Sequence, residues 1–240
     1  MKRSLPILML TMLLAGCSMT KNIPEGDQLF TGLTKITYQD YAESPYADDT
    51  QVEVEAALAT APNGALFGSS YHRLPFSLGV SVWNHFSGRQ GGFAKWMTKT
   101  FGKQPVLMSW VNPQLRAQVA QSVLRNHGYF NGRVSYDVVQ QKNPKTAKIG
   151  YTVTPGRLYR LDSVGYFGFP AHADSLIKST QPEALIHKGD PFEVARLDAE
   201  RNRISTLLRN NGYYYYQPDY KFGVRESSQR DGAWYKNDSK

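Results

Sequence analysis

The residue types that most often carry chemistry are few in this chain and poorly spaced for it. The histidines are His72, His85, His127, His172 and His187, and no two stand at the helix-face spacing that a metal ion needs. The single cysteine, Cys17, excludes an internal disulfide framework and a multi-cysteine metal site. Ser175-Leu176-Ile177-Lys178 matches S-x-x-K, in which a serine nucleophile lies beside a lysine. No partner motif accompanies it, so it reads as a short surface helix. Thr100-Phe101-Gly102-Lys103 ends in Gly-Lys but lacks the earlier glycine of a phosphate-cradling loop. Asp48, Asp49, Asp198 and Glu200 fall in the first halves of expected helices, where carboxylates suit the helix dipole. None forms an acid/base pair. The reading is of a protein that is not an enzyme, with no cofactor and no metal.

What must position these residues is a folded chain. It has 240 residues, 41% hydrophobic and 20% charged, which leaves room for one domain or two small ones. The net charge of +8 reads as a scattered, solvated basic surface. The only near-continuous apolar run, Leu5 to Gly16, is too short to span a bilayer as a helix. Lys2 and Arg3 precede it and Leu14-Ala15-Gly16-Cys17 closes it, the layout of an export signal. Leu-Ala-Gly-Cys looks like a bacterial lipobox, in which the cysteine thiol receives a diacylglyceryl group. Residues 1–16 then form a lipoprotein signal peptide, Cys17 is the lipidated mature N-terminus, and residues 17–25 are a linker. Two or more acyl chains, such as palmitate, hold a protein stably where one does not, at about 0.8 kcal/mol per buried CH₂. An exported, membrane-anchored protein does not meet chromosomal DNA, so no nucleic acid is expected as a partner.

Leu124-Arg125-Asn126-His127-Gly128-Tyr129-Phe130 recurs as Leu208-Arg209-Asn210-Asn211-Gly212-Tyr213-Tyr214. A helical pattern precedes each copy. Asn112-Pro113 opens the first helix, with Leu115, Val119, Ala120, Val123 and Leu124 on its apolar face. Pro191-Phe192 opens the second, with Val194, Leu197, Ile204 and Leu208. Gly128 and Gly212 sit where left-handed C-caps belong. After Gly128 the period becomes two: Val134, Tyr136 and Val138, a turn at residues 142–145, then Ala147, Ile149, Tyr151 and Val153. This predicts a hairpin with one buried face. Arg157 to Phe169 reads as a strand and Asp174 to Ser179 as a helix capped by Asp174. An opening strand within Gln28 to Tyr38 and a helix over Asp48 to Ala61 give the first unit the same order.

Between these lies an insertion at about residues 62–110, with Gly-rich residues 88–92. Over Phe93 to Lys103, Phe93, Trp96, Met97 and Phe101 share one helical face, while Lys95, Lys99 and Lys103 share another. Such a helix lies on a membrane or packs its aromatic face on its own domain; the balance favours packing. The tyrosine run 213–216 is expected in a strand, where Tyr214 and Tyr216 would form part of a binding edge.

The β-α-α-β-β order, with Gly-Tyr-Phe or Gly-Tyr-Tyr after the second helix, resembles a POTRA domain. Two such units behind a lipobox resemble the TamL-type lipoproteins of Bacteroidetes, in the TamA/BamA outer-membrane assembly superfamily. The matching residues are Thr20 to Gly26, Ala61-Pro62-Asn63, Gly102 to Leu107, Asn126 to Phe130, Asp162-Ser163-Val164, Gly189 to Phe192 and Asn211 to Tyr214. The resemblance implies an α+β fold of two tandem POTRA-like units, residues 26–155 and 156–224, with a polar tail at 225–240. It implies a non-enzymatic outer-membrane lipoprotein, lipid-anchored on the periplasmic side. Its partners would be outer-membrane β-barrel clients bound by strand addition, with a TamB-like periplasmic protein as a further partner. The alternative is a structural envelope lipoprotein that docks a partner barrel without touching clients. The family's own barrel needs at least about eight strands of ten residues. Too little chain follows Val224 for that, so the expectation is a fragment or barrel-less form, its second unit lacking a regular last strand.

Overall fold

The computed structural model describes residues 19–74, 77–215, 221–223 and 232–236. Residues 1–18, and Cys17 with them, lie outside that range. The fold is α+β, in two compact units. Among the described residues, one is built from those within 1–38, 55–120 and 134–153, the other from those within 39–54, 121–133 and 154–240. This differs from the sequential division at Pro155. Backbone hydrogen bonds give the reason: the Gly128 carbonyl accepts from Tyr159 N at 3.0 Å, which ties the first Gly-Tyr-Phe turn to the second unit.

In the first unit the opening strand is broken into β1 (Leu29–Leu33) and β2 (Thr37–Tyr38). Both pair in parallel with β4 (Thr146–Thr154), Leu29 opposite Thr146 and Thr37 opposite Thr152. The register shifts between Phe30 and Leu33, and Gly32 lies in that bulge at φ +120°; an added Cβ would meet the Ser70 carbonyl at 2.8 Å. β3 (Arg133–Gln140) pairs with the other side of β4. The turn between them is fixed by Asn143, whose Oδ1 accepts from Lys145 N and whose carbonyl accepts from Thr146 Oγ1. Ala147, Ile149, Tyr151 and Val153 of β4 are buried, as their alternation predicts. β3 is not: Tyr136 and Val138 are exposed, against the expected shared buried face. The core side of the hairpin comes from β4 alone.

Helix α1 (Pro45–Leu58) starts three residues before the expected Asp48. The insertion holds α2 (Leu78–Phe86), α3 (Gly92–Phe101) and the single turn α4 (Met108–Val111). α5 (Pro113–Asn126) begins as predicted, with Leu115 N donating to Asn112 Oδ1 at 3.1 Å. Its buried side is Ala117, Ala120 and Leu124, while the expected Leu115 and Val119 are exposed. Small alanines let the helix approach closely, and the larger residues one step around are left outside.

In the second unit, residues 157–169 are strand only at β5 (Tyr166–Phe167). The earlier part instead bonds to the 189–192 loop: Leu161 N donates to the Asp190 carbonyl and Phe192 N to the Tyr159 carbonyl. α6 (Ala171–Ser179) starts at Ala171 behind Pro170, so Asp174 is not its cap but pairs with Lys178 at 2.6 Å. α7 (Val194–Asn210) buries Leu197, Ile204 and Leu208. Leu161, Ile186, Phe192 and Leu197 form one core cluster; Ala173, Ile177, Ile204 and Leu208 form another. β6 (Lys221–Gly223) and β7 (Gly232–Lys236) complete a sheet in the order β5-β7-β6. β7 runs parallel to β5 and antiparallel to β6. The expected polar tail therefore contains the central strand of this sheet. A short apolar run carries no period, and Trp234 and Tyr235 favour strands without alternation. Among the described residues no helix is long and apolar enough to cross a membrane.

Candidate functional site

The two edges of the first sheet are treated differently. The outer edge of β1 is occupied by the insertion. Phe30 N donates to the Val106 carbonyl at 2.9 Å, Met108 N to the Gln28 carbonyl at 2.8 Å, and Leu33 N to the Ser70 carbonyl at 2.8 Å. Asn63 holds this strap in place. Its Nδ2 donates to the Gln104 carbonyl at 2.9 Å and its Oδ1 accepts from Val106 N at 2.6 Å. Ala61-Pro62-Asn63 and Gly102 to Leu107, far apart in the chain, thus meet through one buried side chain.

The outer edge of β3 is open: among the described strands β3 pairs only with β4. It is eight residues long, carries exposed Tyr136, Val138 and Val139, and has one residue of each charge, Arg133 and Asp137. An open groove of about 680 Å³ runs beside it, lined by Pro24, Asp27, Met108, Pro113, Tyr136 and Val138 among others. Asp27 shapes the groove floor: its carboxylate accepts from Gln28 N at 2.8 Å and from Ser109 Oγ at 2.5 Å. A long edge strand with free backbone groups and a groove for alternate side chains can bind an extended peptide. Sequence reasoning missed this edge, because alternation in β3 looks the same whether the strand is central or peripheral.

The α3 residues Phe93, Lys95, Trp96 and Lys99 are all exposed, so the aromatic face does not pack on the domain as favoured. Tyr214 is exposed and lies in a turn, not a strand; Tyr216 and Cys17 lie outside the described residues. Gly128 has φ +81° and Gly212 φ +91°. They differ in their surroundings. A Cβ on Gly128 would meet the Phe192 carbonyl at 2.8 Å, whereas nothing lies within 4 Å of one on Gly212. His127, beside Gly128, is held by Glu53 at 3.0 Å on Nε2 and Tyr46 Oη at 3.3 Å on Nδ1. These contacts hold its ring beside the Gly128 turn.

The strongest electrostatic arrangement was also missed. Glu200 in α7 is 0% exposed. Its carboxylate accepts from Tyr166 Oη at 2.6 Å, Leu185 N at 2.9 Å, and Arg203 Nε and Nη2 at 2.9 and 2.7 Å. Burial pushes its pKa up, but the bonds from Arg203, Tyr166 and Leu185 outweigh that and hold it below the ordinary carboxylate value. Burial, then the bond to Glu200, pushes the Tyr166 hydroxyl well up. Every acceptor position is used, which marks a structural hub and not a poised acid. Lys178 pairs with Asp174 rather than Ser175. Among the described residues no cluster of His, Cys, Asp or Glu could hold a metal ion.

No protein-family model matches the chain, and no curated protein matches it. Among solved structures it is similar to the crystal structure of Haemophilus influenzae BamA POTRA3-5, at 11% identity and a TM-score of 0.32, covering 90% of this chain and 98% of that one.

Proposed function

We propose that the chain is a non-enzymatic lipoprotein of the outer-membrane protein assembly machinery. It is anchored through Cys17 on the periplasmic side and receives extended client strands along β3. The observation that carries this reading is the pairing of an eight-residue open edge with an adjoining groove, opposite an edge that the insertion already fills. Backbone hydrogen bonds supply affinity with little demand on client sequence, which suits a component that handles many different barrel precursors. The POTRA-like motifs, and the strand-helix-helix-strand-strand order of β5, α6, α7, β6 and β7, support the same reading. The clients are outer-membrane β-barrel proteins, and a TamB-like periplasmic protein is the further partner.

The test uses a synthetic ten-residue barrel strand of alternating apolar and polar residues, read by amide exchange. Binding is expected to protect β3 amides selectively. N-methylation of alternate peptide bonds in the probe should abolish it, as should Val138→Lys, which puts a charge on an exposed edge position. Binding that leaves β3 unprotected sinks the proposal. Absence of peptide binding, with one folded barrel co-purifying, would instead favour the structural envelope role.

A further inference from the structure

We infer that the α2–α3 hairpin is a second membrane-contacting element, which lays its aromatic face on a bilayer of anionic phospholipid. The inference deepens the lipoprotein reading above and rests on it for the position of the bilayer.

The first observation is the face itself. Phe93, Trp96 and Phe101 are 67%, 53% and 54% exposed. They are not scattered: ring centroids run Phe86 to Phe93 at 6.0 Å, Phe93 to Trp96 at 5.9 Å and Trp96 to Phe101 at 5.8 Å. Leu78, at the start of α2, is 65% exposed. α3 buries only Ala94, so its rings are not what holds the helix to its domain. The hairpin is closed by backbone instead, Lys103 N donating to the Gly79 carbonyl at 2.9 Å. A contiguous aromatic patch of this kind on a domain surface marks a contact site.

The second observation is charge. No Asp or Glu occurs between Glu55 and Asp137, and the insertion carries Arg73, Arg89, Lys95, Lys99 and Lys103. Lys95 and Lys99 lie one turn apart on α3, on a different face from the rings. On an interfacial helix, long basic side chains of the polar face reach phosphate headgroups while the rings of the other face enter the acyl boundary. A protein partner would have to bring carboxylates and bury them with these lysines.

The third observation concerns the chain that follows the proposed anchor residue. Met19 is fixed to the base of the same hairpin: its carbonyl accepts from Asn84 Nδ2 at 3.1 Å, and its sulfur accepts from Ser77 N at 3.2 Å. Asn22 Nδ2 in turn donates to the Asn84 carbonyl at 3.0 Å. Cys17 stands two residues earlier. Two extended residues span at most about 7 Å. On the anchor reading, the lipid is attached within that chain reach of Met19, and so of the base of α2.

The test reconstitutes the purified mature chain into phosphatidylethanolamine/phosphatidylglycerol vesicles whose acyl chains carry bromine, a tryptophan quencher. Tryptophan fluorescence should be quenched, and Trp96→Phe should remove most of the quenching. Unlipidated Cys17→Ser protein should still sediment with these vesicles. Phe93→Ser with Trp96→Ser should weaken that binding by roughly tenfold or more, and Lys95→Gln with Lys99→Gln should remove its dependence on phosphatidylglycerol. Exposed positions make these variants safe for folding, which circular dichroism checks. Quenching unaffected by Trp96→Phe overturns the inference even when mass spectrometry shows an acylated Cys17. An unmodified Cys17 with Trp96 still quenched overturns the anchor and leaves the hairpin as the sole contact. Concentration-dependent dimers abolished by Trp96→Ser, without vesicle binding, would make the face a protein interface and also overturn the inference.

Discussion

Replacing Glu200 should unfold the second unit far more readily than replacing any neighbouring carboxylate. Glu200→Ala removes at once the carboxylate that accepts from Leu185 N, Tyr166 Oη, and Nε and Nη2 of Arg203, whose Nη1 keeps Thr180. The Arg203 side chain is 16% exposed and regains some water, while Tyr166 is only half-buried. Each donor left buried costs about 1–3 kcal/mol, and the lost side chain leaves a void. Breaking one side of a buried ion pair costs about 3–5 kcal/mol by a separate route, so the expectation is a loss of about 3–5 kcal/mol. Asp198→Ala is the control. Asp198 is 42% exposed and pairs with Arg201 at 3.3 Å, so it should cost under about 1 kcal/mol. Urea unfolding followed by amide exchange in α6 and α7 measures both. The pH dependence adds a check on sign. The folded state holds the Glu200 pKa below its ordinary 4.5. The group therefore stabilises at pH above 4.5, and that contribution disappears as pH falls through the folded value. The gap between wild type and Glu200→Gln should be full at pH 7 and shrink below pH 4.5. A Glu200→Ala loss no larger than that of Asp198→Ala, or a gap that widens in acid, would refute the hub.

Gly128→Ala should cost about 2–4 kcal/mol, because it adds a backbone clash to a left-handed φ, whereas Gly212→Ala should cost about 1–2 kcal/mol from φ alone. Equal losses in thermal unfolding would show that the 2.8 Å approach to Phe192 is not rigid. Asn63→Ala removes both pins of the 104–106 strap and should cost about 1–3 kcal/mol. It should also raise amide exchange at Phe30 and Met108 ahead of the rest of the sheet. The Tyr151 hydroxyl is buried with no hydrogen-bond partner among the described residues, and burial pushes its pKa up to about 12. Tyr151→Phe should therefore be neutral or stabilising by up to about 1 kcal/mol, and a clear loss would reveal a hidden acceptor. Mass spectrometry of the mature N-terminus should find acylated Cys17; a free thiol there rules out the anchor.

Legibility followed local chemistry. The Asn112-Pro113 start of α5 and the Asn143 turn were readable, because capping and turn residues act within a few positions of themselves. The burial of β4 was readable because one of its faces is wholly covered. What alternation and helical period do not carry is the identity of the neighbour. Leu115 and Val119 repeat at helical spacing yet face solvent, since Ala117 and Ala120 take the close contact. Val134, Tyr136 and Val138 alternate as a core strand does, yet β3 ends the sheet. Residues 157–165 carry strand-like types, but the 189–192 loop takes their backbone bonds before a sheet can. Glu200 looked like a dipole-stabilising carboxylate because its partners arrive from Tyr166 and Leu185, outside its own helix.

The unequal edges of the first sheet also limit how copies of this chain can assemble. A sheet open on both sides can add strands without end, as fibrils do. Here the insertion blocks β1, and β2 is only two residues long. Contact through β3 then uses the same surface on both partners, an isologous arrangement that closes on itself at two copies. Within the first sheet, pairing through β3 thus ends at two copies instead of growing further. If β3 receives clients as proposed, a client would compete directly with that pairing, and β3 would hold one guest or one twin, never both.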